Sequence, residues 1–205
     1  MASIDPNTTL ELYNSSLTKT INKTGYPACN GGGGVLDNYA IFIGGSMRYS
    51  EDGSNYLRAY KRAYAFDKNF TRTTLTDLNE KREDHIVVNI GKEYVIAHGG
   101  SQDLYSDIEG FDKSLTKHSV WTSIASRERH SGVSLQNCAI IMGGLNTQSD
   151  FSKTVFSING ALTSERIDTQ TSPYGNYENI PGTSLNKTYA LFPLGSIIGI
   201  YQENY

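Results

Sequence analysis

Four short apolar runs ending in small residues punctuate the chain: YAIFIGG at 39–45, YVIAHGG at 94–100, CAIIMGG at 138–144 and YALFPLG at 189–195. Their starts lie 55, 44 and 51 residues apart. A second phrase recurs between them: an aromatic or apolar residue, then Asp or Asn, then a hydrophobe and Thr. It reads YNSSLTK at 13–19, FDKNFTR at 66–72, FDKSLTK at 111–117 and INGALTS at 158–164, with starts 53, 45 and 47 apart. Two independent anchors sharing one period identify an internal repeat, and a period of about 50 residues points to the blades of a propeller.

Each unit reads as four strands. In the fullest copy, strand A lies near 130–135, strand B is the apolar run at 138–144, strand C spans 154–159 and strand D spans 162–167. A nearly all-apolar B is the pattern of a strand buried on both faces. Asp67, Asp112 and Asn159 fall between C and D, where such residues close tight turns by bonding their own backbone and tolerating left-handed φ. The pairs Gly44-Gly45, Gly99-Gly100 and Gly143-Gly144 allow strained or closely packed backbone after B. No apolar stripe of helical period competes. The stretch TDLNEKREDH (76–85) falls at a D-to-A junction and reads as a connecting loop.

The chain enters the repeat at C and D (10–21) and leaves it at A and B (about 183–193). The expected fold is therefore an all-β propeller of four-stranded blades. One domain spans 1–205, with units at about 22–76, 77–122 and 123–168 and a shared blade from 169–205 plus 8–21. Pairing N-terminal C–D with C-terminal A–B would close the ring and leave no open edge. An arc of a larger ring, or a ring completed by a second copy, are the alternatives. The tail 195–205 is either a leftover strand C or an edge cover.

The GG-ended strand followed by an aromatic-Asp turn resembles the kelch repeat. Arg82 and His85 precede Gly99-Gly100, Arg127 and His130 precede Gly143-Gly144, and Trp121 follows Phe111-Asp112, near the place of the kelch Trp. The likeness covers about residues 10–195. It departs in having a single Trp and in lacking the Arg and His in units one and four, at Pro27 and Glu178. The phrasing of the repeats is also similar to kelch-like proteins of bacteriophages and prophages of Gram-positive bacteria. That resemblance implies a virion or tail-associated role, although fold likeness alone does not license function.

Composition narrows the chemistry. Net charge is −3 with both signs interspersed, and no basic run marks a nucleic-acid partner. No stretch of about 20 apolar residues predicts a membrane span. The start, MASIDPNTTLELYN, has neither the basic nor the apolar region of a secretory signal. Cys29 and Cys138 have no metal or disulfide-framework spacing and read as small apolar residues. Asn-x-Ser/Thr triplets at Asn7, Asn14, Asn22, Asn69 and Asn186 follow from a composition rich in those residues.

Candidate catalytic features are weak. His85 and His130 hold equivalent repeat positions on neighbouring blades and read as structural, since no third ligand recurs with them. The run NGGGG (30–34) lacks the Lys-Ser/Thr of a phosphate loop and reads as a flexible or tightly turning loop. Glu80, Glu83 and Asp84 read as a solvated charged loop. Some kelch-like proteins are copper oxidases using Tyr, His and Cys; beyond the proximity of Tyr26 and Cys29, nothing marks such a site. No catalytic residue, metal or cofactor is expected.

Strand direction places the B–C and D–A connections at one end of the blades. The long B–C loop 46–58 carries Met47, Arg48, Tyr49, Tyr56 and Arg58, the next carries Tyr105, and the D–A regions carry Arg82 and Arg127. Tyr and Arg dominate binding hot spots, and loops on a rigid scaffold often carry function. The expectation is a non-enzymatic structural or interaction protein, in a virion if phage-encoded and otherwise cytoplasmic. Its partners would be other virion proteins or a host surface protein or glycan, with homo-oligomers as a further option. A glycan- or peptide-binding module is the alternative, and an enzyme with its site at a central opening a third reading.

Overall fold

The computed structural model describes residues 9–13, 19–24, 30–51, 54–100, 107–121, 126–145, 154–167, 181–194 and 197–203. Its described elements are β-strands, joined into antiparallel sheets. β1 (Thr9–Tyr13) and β2 (Lys19–Thr24) form a two-stranded sheet of their own. The first four-stranded sheet holds β3 (Gly32–Leu36), β4 (Tyr39–Ile43), β7 (Ala63–Phe66) and β8 (Arg72–Thr74). Between β4 and β7 stands a separate hairpin, β5 (Ser46–Glu51) and β6 (Ser54–Ala59). The second sheet runs β9 (Ile86–Ile90), β10 (Tyr94–His98), β11 (Asp107–Asp112), β12 (Lys117–Trp121). The third runs β13 (Ser131–Ser134), β14 (Cys138–Met142), β15 (Val155–Asn159), β16 (Ser164–Arg166). A fourth sheet has three strands, β17 (Thr183–Leu185), β18 (Tyr189–Leu194) and β19 (Ile197–Gln202).

The apolar B runs become β4, β10, β14 and β18, each second in its sheet. They lie between two strands and, in the second and third sheets, between two neighbouring sheets. That is why Val95, Ile96 and Ala97 on β10, and Ala139, Ile140 and Ile141 on β14, are buried whichever way they point. The first strands stack in series, β3 on β9, β9 on β13 and β13 on β17. Three apolar cores fill the junctions. The first joins Leu36, Ile41 and Ile43 to Val95, Ala97 and Phe111. The second joins Val88, Ile90 and Ile96 to Ala139, Ile141 and Ile158. The third joins Val133, Ile140 and Met142 to Ala190 and Phe192.

The C–D turns are three copies of one device. Asp67, Asp112 and Asn159 each accept the amide three residues on at their main-chain oxygen, at 2.8, 2.8 and 2.9 Å. Their side-chain Oδ1 accepts the amides two and four residues on, for example Ser114 at 2.8 Å and Thr116 at 3.0 Å for Asp112. The expected left-handed residue is corrected. It is the hydrophobe that takes positive φ: Phe70 (58°), Leu115 (61°) and Leu162 (58°). Leu115 and Leu162 nevertheless turn inward onto the first and second junction cores, which accounts for an apolar residue at a position where Gly is easier.

Three further expectations change. The NGGGG run is a loop only at Asn30 and Gly31, because Gly32–Leu36 is strand β3. The residue type serves packing there: a Cβ on Gly32 would lie 2.4 Å from Val87 Cγ2, and one on Gly34 2.6 Å from Asn89 Oδ1. The supposed loop 46–58 is a paired hairpin. The terminal blade also differs from a shared one. The edge of β18 expected to receive an N-terminal strand C is taken by β19, which pairs along it from Leu194↔Ile197 to Tyr189↔Gln202. Of the two readings offered for the tail, strand C matches the structure.

Candidate interaction face

The order A, B, C, D in the second and third sheets sends B–C and D–A connections to the same end. Two isolated bridges tie them there, Tyr60↔Arg82 and Glu128↔Leu145. The hairpin β5–β6 rises from this end, anchored where the Tyr60 amide donates to the Gly45 carbonyl at 2.8 Å. Cross-strand partners are Met47↔Arg58, Arg48↔Leu57 and Tyr49↔Tyr56. Met47 is half-buried, while Tyr56 (46 %), Leu57 (41 %) and Arg58 are exposed. Arg48 and Tyr49 are placed by their backbone register, and Tyr105 lies outside the described residues.

Arg82 and Arg127 do not join this surface; they are 0 % and 1 % exposed, a correction to their placement on a binding face. The Arg82 guanidinium donates to the Gly99 carbonyl (2.8 Å), Asp107 Oδ1 (2.5 Å) and Glu109 Oε1 (3.0 Å). Glu109, fully buried, also accepts the Asn79 amide (2.5 Å) and meets Lys117 Nζ at 3.2 Å. A charge taken out of water needs such a set of donors. Arg127 repeats the geometry with other partners. It donates to the Gly143 carbonyl (3.0 Å) and Thr154 Oγ1 (2.8 Å), and its guanidinium lies 5.4 Å from the Phe156 ring centre.

The two arginines also lock neighbouring sheets through their backbone. The carbonyl of Arg82 accepts the Gly45 amide at 2.7 Å, and that of Arg127 accepts the Gly100 amide at 2.9 Å. Glycine is required on the other side of this contact. Gly44 (φ 63°) and Gly99 (φ 68°) have left-handed backbone, and a Cβ on Gly99 would lie 2.2 Å from the Arg127 oxygen. The equivalent histidines sit beside them: His85 Nε2 bonds the Ile43 carbonyl at 3.0 Å, and His130 Nε2 meets His98 Nδ1 at 3.1 Å. Arg-x-x-His of one unit thus grips the residue before Gly-Gly, and the glycines, of the preceding unit.

All three histidines are buried. Burial first, then the Arg82 guanidinium, lowers His85 to about 4 despite its carbonyl bond. Burial, then Arg127 and Arg82, lowers His98 to about 3. Burial, then His98 and Arg127, holds His130 well below the usual histidine range. They are neutral packing groups at physiological pH. No cluster of three or more His, Cys, Asp or Glu suited to a metal occurs among the described residues.

The remaining candidates fall away from chemistry. Burial, then Glu203, pushes the half-buried Cys138 thiol up to about 12, away from the range of a nucleophile. Cys29 and Tyr26 lie outside the described residues. Of the supposed solvated carboxylates, Glu83 is buried at 5 % exposure. No helix among the described residues is long and apolar enough to cross a membrane.

The sequence places Trp121 beside the place of the kelch Trp and not among the binding-face residues. Taken as a repeat signature, it stands 84 % exposed as the last residue of β12, opposite Asp107, at the end that carries the hairpin. The signal was its singularity: a Trp required by every sheet would recur, and this one does not. No protein-family model and no curated protein matches this chain.

Proposed function

We propose that this chain is built of kelch-like propeller blades and acts as a non-enzymatic interaction protein, binding through the hairpin end of its sheets. The observation that carries the reading is the placement of Tyr56, Leu57 and Trp121, exposed at 46, 41 and 84 %, at one end of sheets whose repeat residues Arg82, Arg127, His85 and His130 are buried. Large aromatic groups left in water on a rigid frame are the residue types that anchor protein and glycan interfaces. The charges of Arg82 and Arg127 are consumed by packing, which leaves the exposed aromatic and apolar groups, with Arg58, as this end's means of recognition.

The setting that fits the phage-like phrasing of the repeats is a virion, where the face would dock on another particle protein or a host surface. The test is capture of particle proteins or host-surface components by the full chain, compared with a Tyr56→Ala/Trp121→Ala variant. The variant is expected to bind roughly tenfold or more weakly while unfolding at the same temperature, as exposed hot-spot residues do. Equal binding by the variant overturns the assignment of the face. Absence of the chain from purified particles of its encoding phage overturns the setting. A glycan array hit lost in the same variant selects the glycan reading instead.

A further inference from the structure

The sheets follow one another in a fixed sense, and each inner sheet has two different faces. On the second sheet, Asn89, Val95, Ala97 and Phe111 look back at the first: Asn89 bonds the Val35 backbone, and the other three belong to the first junction core. On the third, Ser134, Ala139, Ile141 and Ile158 look back at the second, with Ser134 Oγ accepting the Asn89 amide at 2.8 Å. Strand register identifies the same positions on the first sheet. The pairs Val35↔Ala40, Gly33↔Phe42 and Ala40↔Phe66 match Asn89↔Val95, Val87↔Ala97 and Val95↔Phe111.

Val35, Ala40, Phe42 and Phe66 therefore form a backward face built like the two that are covered. They line an open cleft of about 320 Å³ together with Phe70, the counterpart of Leu115 and Leu162. Phe42 and Phe66 meet edge to face at 5.7 Å, and Val35 is 61 % exposed.

The opposite end is the matching half. Ala190 and Phe192 of the fourth sheet look back at the third. Its other face carries Leu185, Leu191 and Ile200, at the register positions of Ile90, Ile96 and Gly110. Ile90 and Ile96 are the residues with which the second sheet covers the third. Leu185 and Ile200 are 51 % and 64 % exposed.

We propose that the fourth sheet of one copy packs on the first sheet of a second copy, head to tail, repeating across the molecular boundary the junction already made three times within the chain. The occupant follows from the kind of face. A backward face is covered at every internal junction by a forward face, and among the described residues one face of each kind, on the first and fourth sheets, is not packed on the other. Such a heterologous contact closes into a ring of copies or grows.

Sedimentation velocity tests the proposal. The full chain is expected to assemble as its concentration rises, and Val35→Asp and Ile200→Asp should each abolish assembly. Both positions are exposed, so matching thermal unfolding verifies that each variant remains folded. Mixing the two variants gives the decisive result. Val35→Asp keeps an intact fourth sheet and Ile200→Asp an intact first sheet, so the mixture should form a dimer and stop there. A wild-type chain that stays monomeric throughout, or a mixture that gives no dimer, overturns the proposal. A monomer destabilised by Val35→Asp would instead mean that the first and fourth sheets meet within one chain.

Discussion

Arg82→Met is expected to destabilise the protein by about 3–5 kcal/mol, the cost of breaking a buried ion pair by removing one partner. The substitution keeps much of the side-chain volume and takes away the charge. Glu109 would then stay fully buried with Lys117 as its remaining cation, at 3.2 Å, and the Gly99 carbonyl would lose its 2.8 Å donor. Arg127→Met provides the internal comparison. Its guanidinium donates to the Gly143 and Thr154 carbonyls and the Thr154 hydroxyl, and loss of these bonds alone is expected to cost about 1–3 kcal/mol. The double variant Arg82→Met/Glu109→Met should recover part of the first loss, because a buried pair replaced by apolar groups of similar volume is far less costly than half a pair. Urea unfolding checks all three. A double variant no more stable than Arg82→Met alone would contradict the ion pair's role.

Acid is expected to undo the fold well above the pH at which surface carboxylates alone would matter. In the unfolded chain histidine titrates near its ordinary 6.5. In the folded chain His85 titrates at about 4 and His98 at about 3. Between those values the unfolded state binds more protons, so stability is full above 6.5 and falls as the pH drops through the window. Each histidine contributes a slope of up to about 1.4 kcal/mol per pH unit, and the slope ends once the folded form is protonated too. His130, also depressed, steepens the fall. By pH 4 the summed loss is comparable to the whole stability of an ordinary domain, about 5–15 kcal/mol. Thermal melts from pH 7 to 4 measure it. A His98→Phe variant should flatten the dependence, and a melting temperature that does not move over this range would refute burial of the three rings.

Much of the strand framework was legible because two constraints reach the sequence directly. A strand covered on both faces must be apolar throughout, and a turn that bonds its own amides is favoured by Asp or Asn; hence β10 and β14, with β4 and β18 as their repeat counterparts, and the turns at Asp67, Asp112 and Asn159 could be read in advance. What failed did so because one residue type serves several ends. Glycine marks turns, so Gly32–Gly34 read as a loop, yet here glycine makes room for Val87 and Asn89 on the next sheet. Arginine marks binding surfaces, so Arg82 and Arg127 read as exposed, yet their partners Glu109 and Thr154 lie 27 residues away and carry no local signal. His98 could have been found, since it replaces Ile43 and Met142 at the position before Gly-Gly. The exposed hairpin and Trp121 had only composition to announce them.

Amide hydrogen exchange at Gly45 and Gly100 tests most directly whether successive sheets are locked in series. Both residues lie outside every strand, where amides ordinarily exchange fast, and each donates across a sheet junction, to Arg82 at 2.7 Å and to Arg127 at 2.9 Å. Both are expected to be protected to the same degree as Val95 and Ile96 in the middle of β10. Exchange of Gly45 and Gly100 at the rate of open loops, with β10 still protected, would mean that the sheets form singly and that the junctions described here do not hold them together.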